Sequence, residues 1–355
     1  MLIRKYTNRK QPIKDRPRFR PPIDYFVGPS MLTAAETGNI QRLIYDLKDI
    51  RNINFEDDDK ETALHKAAEK GHRDIVEQLL GKNASVEVTN SSNNTPLHLA
   101  TRGGHITIVE LLLKESAPIE AKNRRNFTPL HFAAQNGHIS TVERLLDNGA
   151  SIEAMAHNND TILHLATGGC HTRMVELLLN KGASIDVINK DSNTPLHIAA
   201  RTCDPDLTRL LLEKGAWIQA INAEHQTPLH FATETGHDGM VELLLEKGAS
   251  IQAKNKGDNT PLHLAAKSGH TSIVELLLGK NASIETTNGY RQTPLHLAAK
   301  NGHADIVKIL LGKNASIEAT NCYRQTPLHL AAEAGHFEVV KLLQDKVAKV
   351  NGNSP

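Results

Sequence analysis

The 355-residue sequence is poor in the materials of most globular cores and sites. Aromatic residues make up only 4%, with one Trp, five Tyr and seven Phe, so a core must be built from Ala, Leu, Ile and Val. Three cysteines do not make a disulfide scaffold. No apolar run approaches the roughly 20 residues needed to cross a bilayer. The start, Met1-Leu2-Ile3-Arg4-Lys5, lacks the apolar stretch of a secretory signal. A soluble intracellular chain is therefore the expectation, cytoplasmic first and nuclear second. In that setting N-x-S/T triplets such as Asn281-Ala282-Ser283 carry little meaning, because glycosylation requires secretion. Neither sign of charge dominates either. With 41 Lys and Arg against 40 Asp and Glu, the net +1 supplies no overall field towards nucleic acid or anionic membrane. There is no His-Glu-x-x-His, no paired Cys-x-x-Cys and no phosphate-binding Gly loop.

What the sequence does have is internal repetition. Thr-Pro-Leu-His or a near variant begins at Thr62, Thr95, Thr128, Thr161, Thr194, Thr227, Thr260, Thr293 and Thr326, nine copies at a period of 33 without insertion or deletion. A fixed period of roughly 20–50 residues marks a stacked repeat architecture. A degenerate copy precedes the nine, since Ala34-Ala35 and Gly38 lie 33 residues before Ala67-Ala68 and Gly71. The repeats thus span residues 29–350, the degenerate copy 29–61, with an N-terminal arm at 1–28 and a tail at 351–355. Each copy reads as two short helices. Thr caps the first with its hydroxyl, and the following Pro loses no hydrogen bond because that N–H has no intrahelical acceptor. After Thr128-Pro129 come Leu130, Phe132, Ala133 and Ala134, and Gly137 ends the helix in the left-handed conformation. The second helix runs through Thr141-Val142 and Leu145-Leu146 with one apolar face. Its end is Gly149, Gly182, Gly215 and Gly248 in four copies and Asn83, Asn281 and Asn314 in three, the residues that best tolerate left-handed backbone.

Thr-Pro-Leu-His-x-Ala-Ala…Gly-His at this period resembles the ankyrin repeat family over about nine-tenths of the chain. The resemblance implies an all-α solenoid of about ten helix–turn–helix repeats with β-hairpin tips, each unit touching only its neighbours. At about 9–10 Å per packed layer, the body would be about 90–100 Å long. The resemblance further implies a monomer without chemistry or cofactor of its own, binding another protein through its concave face and hairpin tips, with no small-molecule substrate. A second reading makes it an adaptor or targeting subunit, including a bacterial effector acting in a host cell or a ubiquitin-ligase substrate receptor, serving an activity on another chain. Two departures from the family pattern concern the tips. The Asp expected five residues before Thr is usually Asn (Asn90, Asn123, Asn189, Asn222, Asn255, Asn288, Asn321), and the tip Gly is replaced by Lys60, Asn93, His225, Arg291 and others. Asn keeps the local hydrogen bonding and tolerates positive φ, so the turns are expected to survive. Where many family members carry a hydroxylatable Asn, this chain has Glu87, Glu120, Glu153, Gln219, Gln252, Glu285 and Glu318.

The repeat also accounts for the residues that look chemical. Of 19 histidines, nine close the Thr-Pro-Leu-His motif and eight follow the helix-ending turn; only His157 and His225 fall elsewhere, in tips. A structural role is expected for the seventeen, because the third residue after an N-cap is where a side chain bonds back to the capping group. Cys170 and Cys203 occupy the same position in consecutive repeats, about 10 Å apart and beyond the about 7 Å reach of a disulfide. Buried or half-buried free thiols are expected there, and the most exposed thiol at Cys322. In the fifth full repeat Cys203-Asp204-Pro205 replaces Gly-His, and Asp204 as N-cap with Pro205 at the first position explains the change.

Free positions in such a stack are the four residues before each Thr and the seventh and eighth after it. On that basis a partner is expected to touch Arg124, Arg125 and Phe127 with Arg102 beside them, and Tyr290, Arg291, Tyr323 and Arg324 with Lys267 and Lys300 alongside. Trp217 is a further contact candidate. Tyr, Trp and Arg dominate interface energetics. The acidic tip Asp57-Asp58-Asp59 reads as solvated. Residues 1–20 carry eight basic residues against one acid, broken by Pro12 and Pro17, which leaves −6 for the rest of the chain. This flexible arm is the one place where nucleic acid or an anionic membrane would be met.

Overall fold

A computed structural model describes residues 24–202, 204–350 and Gly352. Among these residues twenty helices follow one another, from Asp24–Thr37 to Phe337–Val350, in ten inner and outer pairs. Residues 1–23 of the expected arm, and Cys203, lie outside the described residues, while 24–28 already belong to the first helix. The first pair departs from the repeat in length and in its buried Asp46, which accepts hydrogen bonds from Ser30 and from Arg42.

Each inner helix starts where the sequence places it. Thr95, for example, is extended (φ −83°, ψ 166°) and caps Pro96–Gly103, and Gly104 closes that helix at φ 71°. Seven to nine residues are too few for a stable isolated helix, so packing holds each one. The strongest helix contacts run from inner helix to next inner helix and between the two helices of one repeat, with weaker ones from outer to next outer. Leu97 and Ala100 of one inner helix and Ile108, Val109 and Leu112 of its outer partner are fully buried, and every later repeat supplies equivalents. The small Ala-Ala positions allow this close approach. Asp204 confirms the alternative cap of the fifth repeat: its carboxylate accepts the N–H groups of Asp206 and Leu207, both at 3.0 Å.

The motif histidines turn out to join repeats as well as cap helices. In all nine, the N–H of the capping Thr donates to His Nδ1 at 3.0–3.2 Å. Nδ1 therefore carries no proton, and the ring is the neutral Nε2–H form. In seven of them Nε2 then donates to a backbone carbonyl 29 residues on, in the next repeat, at 2.9–3.1 Å, as His98 does to Phe127. Seven of the histidines that follow the helix-ending turn bond the opposite way, to a carbonyl 36 residues back, as His105 does to Glu69. The left-handed Gly before each turn makes room for this ring: a Cβ on Gly71 would lie 2.6 Å from His105.

Burial holds the motif imidazoles from His65 to His296 below their ordinary pKa, and like charges on neighbours add to the effect: His65 acts on His98, and Lys122 and then His98 act on His131. For His98, His131, His230 and His263 the value falls to about 4. Protonation also places a proton on Nδ1, where the Thr N–H must donate. Because the folded pKa lies below the unfolded 6.5, this stabilisation is complete above about pH 6.5 and drains away as pH falls towards 4. Each histidine that takes up a proton on unfolding steepens the fall by at most about 1.4 kcal/mol per pH unit. We predict a thermal midpoint that drops continuously from pH 7 to pH 5, before the carboxylates titrate. A flat midpoint over that range would contradict this role.

Candidate binding surface

The tips project from the inner-helix side as a continuous series of turns. In each, the N–H of the fourth residue bonds to the C=O of the first, as Asn93 does to Asn90 at 2.8 Å, and the fourth residue has positive φ. Lys60, Asn93, Asn126, Asn159, Ser192, His225, Asp258, Arg291 and Arg324 all lie between 55° and 60°. This left-handed residue after a tight turn is the place of a G1-type bulge. Successive tips are joined by single backbone bonds of 2.7–3.1 Å, eight in all, from Ser91 N–H to Asp59 C=O through Cys322 N–H to Tyr290 C=O. The pairing is sparser than a β-hairpin: among the described residues the one β-bridge is Met155 with Thr161.

The departures from the family pattern now acquire causes. Asn90 Oδ1 accepts the N–H groups two and four residues on, while its Nδ2 donates to Glu61 of the preceding repeat at 3.1 Å. Asn123, Asn189, Asn222 and Asn288 repeat that outward bond, which an Asp carboxylate has no proton to make. The Glu and Gln positions accept the next repeat's backbone: Glu120 takes the Ser151 N–H, Glu153 the Ser184 N–H and Glu285 the Ser316 N–H, at 2.7–2.8 Å. Asp57 of the acidic tip is structural. Burial alone would raise its pKa, but Lys66 at 2.9 Å and the Glu61 and Asp59 N–H groups hold it below the usual carboxylate range.

Of the expected contacts, Arg124 and Arg125 are exposed on the third tip. Phe127 is not. At 4% exposure it is packed with Phe132 and Ala156, stacked on His131 at 5.3 Å and covered by the Arg125 guanidinium 4.4 Å from its ring centre. Its ring fills a gap at the fourth tip, where Ala156 stands in place of Asn. Beside it, buried His131 Nε2 finds no hydrogen-bond partner among the described residues. Arg102 ion-pairs with Glu69 and lies over the Phe132 ring. Tyr290 and Tyr323 are exposed on successive tips, flanked by exposed Arg291 and Arg324, and Lys267 and Lys300 end the inner helices Pro261–Ser268 and Pro294–Lys300. Trp217 is exposed but belongs elsewhere, to the stretch after an outer helix, where its backbone N–H donates to the Asp186 carboxylate. Cys170, expected to be buried or half buried, is an exposed free thiol at the left-handed residue (φ 56°) of its helix-ending turn; Cys322 is exposed as expected.

Two features escaped the sequence reading. Gly168 and Gly169 occupy the seventh and eighth positions of the fourth repeat, and the missing side chains open a cavity of about 560 Å³. Its floor is Leu165 and Ile198, and its rim includes Gln135, Asp160, Asp191 and Arg201. In the repeats around it, Met155, Ile188 and Ile221 take the same position just before three successive tips, each 48–54% exposed. Other repeats carry Thr89, Lys122, Lys254, Thr287 or Thr320 there. The signal in the sequence was this run of three apolar residues, at a position not counted as free.

The family model for ankyrin repeats, in three-copy units, matches residues 31–123, 86–156, 130–222, 172–255, 218–288 and 262–354. The chain belongs to the ankyrin repeat family. Ankyrin repeats are generally protein–protein interaction modules without catalytic activity. No curated protein matches the sequence.

The positive φ at non-Gly tips makes a direct prediction for this ankyrin array. Lys60→Gly, Ser192→Gly and His225→Gly should each stabilise it by about 0.5–1 kcal/mol, since Gly adopts that backbone without strain. Denaturant melts check this, and destabilisation by all three substitutions would show that the tip side chains are worth more than the strain.

Proposed function

We propose that this ankyrin array is a non-catalytic scaffold that binds a partner protein along its concave face and tips, from the third to the ninth full repeat. One observation carries the reading. Met155, Ile188 and Ile221 form an exposed apolar set at one position of three successive repeats, and the central Ile188 adjoins in sequence Asn189, which lines the cavity that Gly168 opens. Exposed apolar residues scattered singly are ordinary, whereas the same position exposed and apolar in three successive repeats marks an interaction site. The row has no role in the stack, because the other repeats fill the position with Thr or Lys. Exposed Tyr290, Arg291, Tyr323 and Arg324 extend the same face towards the C-terminus with the residue types that anchor interfaces.

Gly168 allows a clean test. A Cβ there would meet only Ile198 Cγ2, at 3.8 Å, and the equivalent residue one repeat earlier is Gln135. Gly168→Gln should therefore fill the cavity and leave the thermal midpoint unchanged or higher. Affinity capture from the native cell, quantified by mass spectrometry, then compares the wild type with Gly168→Gln combined with Met155→Lys, Ile188→Lys and Ile221→Lys, and separately with Tyr290, Arg291, Tyr323 and Arg324 changed to Ala. A partner captured by the wild type should fall at least about tenfold with the first variant, about 1.4 kcal/mol, and measurably with the second. Undiminished capture by both variants would sink the proposal.

A further inference from the structure

We infer that the seventh to ninth full repeats form a docking site for an acidic protein segment in an extended, polyproline II-like form with a carboxylate at every third residue. The inference rests on the concave-face reading above and names the partner chemistry of its C-terminal third.

The charge of this region opposes that of the body. Its tips and inner-helix ends carry Lys254, Lys256, Lys267, Arg291, Lys300 and Arg324, against Asp258 and Glu333, on a chain whose residues 21–355 sum to −6. Lys256 pairs with Glu224 at 3.5 Å, and Glu333 accepts from the Gln325 amide. The other five cations are exposed and, among the described residues, have no carboxylate within 4.0 Å. On earlier repeats Lys66 pairs with Asp57 and Glu61, and Arg102 with Glu69, while exposed Lys60, Arg124 and Arg125 on earlier tips, like these five, have no carboxylate within 4.0 Å among the described residues. Five unpaired cations on an acidic molecule call for an anion from outside.

The spacing selects the form of that anion. Backbone bonds Gly289 N–H to Gly257 C=O and Cys322 N–H to Tyr290 C=O, 2.9 and 3.0 Å, lock these tips in register. Arg291 and Arg324, and likewise Lys267 and Lys300, therefore recur at the repeat pitch of about 9–10 Å. A polyproline II segment returns to the same face every three residues, about 9.3 Å. A flat β-strand does so about every 6.6–6.8 Å and falls out of step. A helix nearly matches at about 10.5 Å per seven residues, but it places a cylinder of about 10–12 Å diameter between the tips and the lysines below. Exposed Tyr290 and Tyr323, one per repeat, supply the flat aromatic surfaces on which extended proline-containing segments pack. Asp258 and Glu333 on the same face disfavour a continuous polyanion such as nucleic acid, and tolerate a segment with one carboxylate per turn.

Fluorescence anisotropy with the full chain tests this, using a labelled (Glu-Pro-Pro)5 peptide at low salt. The comparison probes are (Gln-Pro-Pro)5, a helical Ala-rich peptide with Glu at every seventh residue, and an oligo(dT) strand of similar length. The acidic polyproline peptide should bind best, and both raised salt and the variant Lys267→Glu/Arg291→Glu/Lys300→Glu/Arg324→Glu should weaken it at least about tenfold. Circular dichroism checks the variant's fold, and Arg291→Gln/Arg324→Gln serves if charge reversal disturbs it. Equal binding of the Gln peptide, tighter binding of the helical peptide or of oligo(dT), an unaffected variant, or no binding at all would overturn the inference. If it fails while partner capture still depends on Arg291 and Arg324, the concave-face reading stands; if capture ignores them as well as Gly168 and the apolar row, that reading fails too.

Discussion

A neutral imidazole, accepting a threonine N–H at Nδ1 and donating from Nε2 to the carbonyl of the next repeat, fixes the spacing of this stack at seven of its junctions. The same ring caps its own helix, so one residue type sets both where a helix starts and how far away the next one lies. Because Thr, His and the accepting carbonyl are all buried, leaving any of them unpaired costs about 1–3 kcal/mol. That penalty explains why the motif recurs nine times without a shifted copy.

Three further ladders run parallel to this one. The Gly-His rings reach back 36 residues, the tip amides of Asn reach back 29, and the Glu and Gln carboxylates and amides take N–H groups 31 residues ahead. Together they satisfy the polar backbone at every level of a repeat. Side chains outside these ladders are left free to vary, and it is there that the apolar row, the Gly168 cavity and the Tyr-Arg tips occur. Irregularity collects where a ladder loses a member. At the fourth tip Ala156 replaces Asn, Phe127 moves into the gap, and His131 is left with an unpaired Nε2. The cavity opens in that same repeat.

The architecture was legible because the repeat was. Thr caps, Gly stops and the fifth-repeat substitution Asp204-Pro205 each follow from local rules acting on a few neighbouring residues, and the structure places them where those rules require. What could not be read was anything that joins residues 29 to 36 positions apart with a side chain of ordinary type. Asn in place of Asp looked like tolerated variation, yet it supplies a donor across the junction. Phe127 looked like a surface anchor because it sits beside two arginines, and it is buried because the neighbouring tip lacks its Asn. The apolar row is not legible for a simpler reason: its position lies outside the tip and inner-helix positions that an ankyrin stack leaves free. Glu in place of a modifiable Asn likewise acquired a meaning only when Ser151 N–H was seen to donate to Glu120.

The claim that the stack depends on neutral, bridging imidazoles is tested most directly by nitrogen-15 NMR of the histidine rings through a pH titration. The account predicts, for His65, His98, His164, His197, His230, His263 and His296, the Nε2–H tautomer at pH 7 and no titration at the ordinary value near 6.5. Rings carrying the proton on Nδ1, or titrating near 6.5 while the chain stays folded, would contradict it.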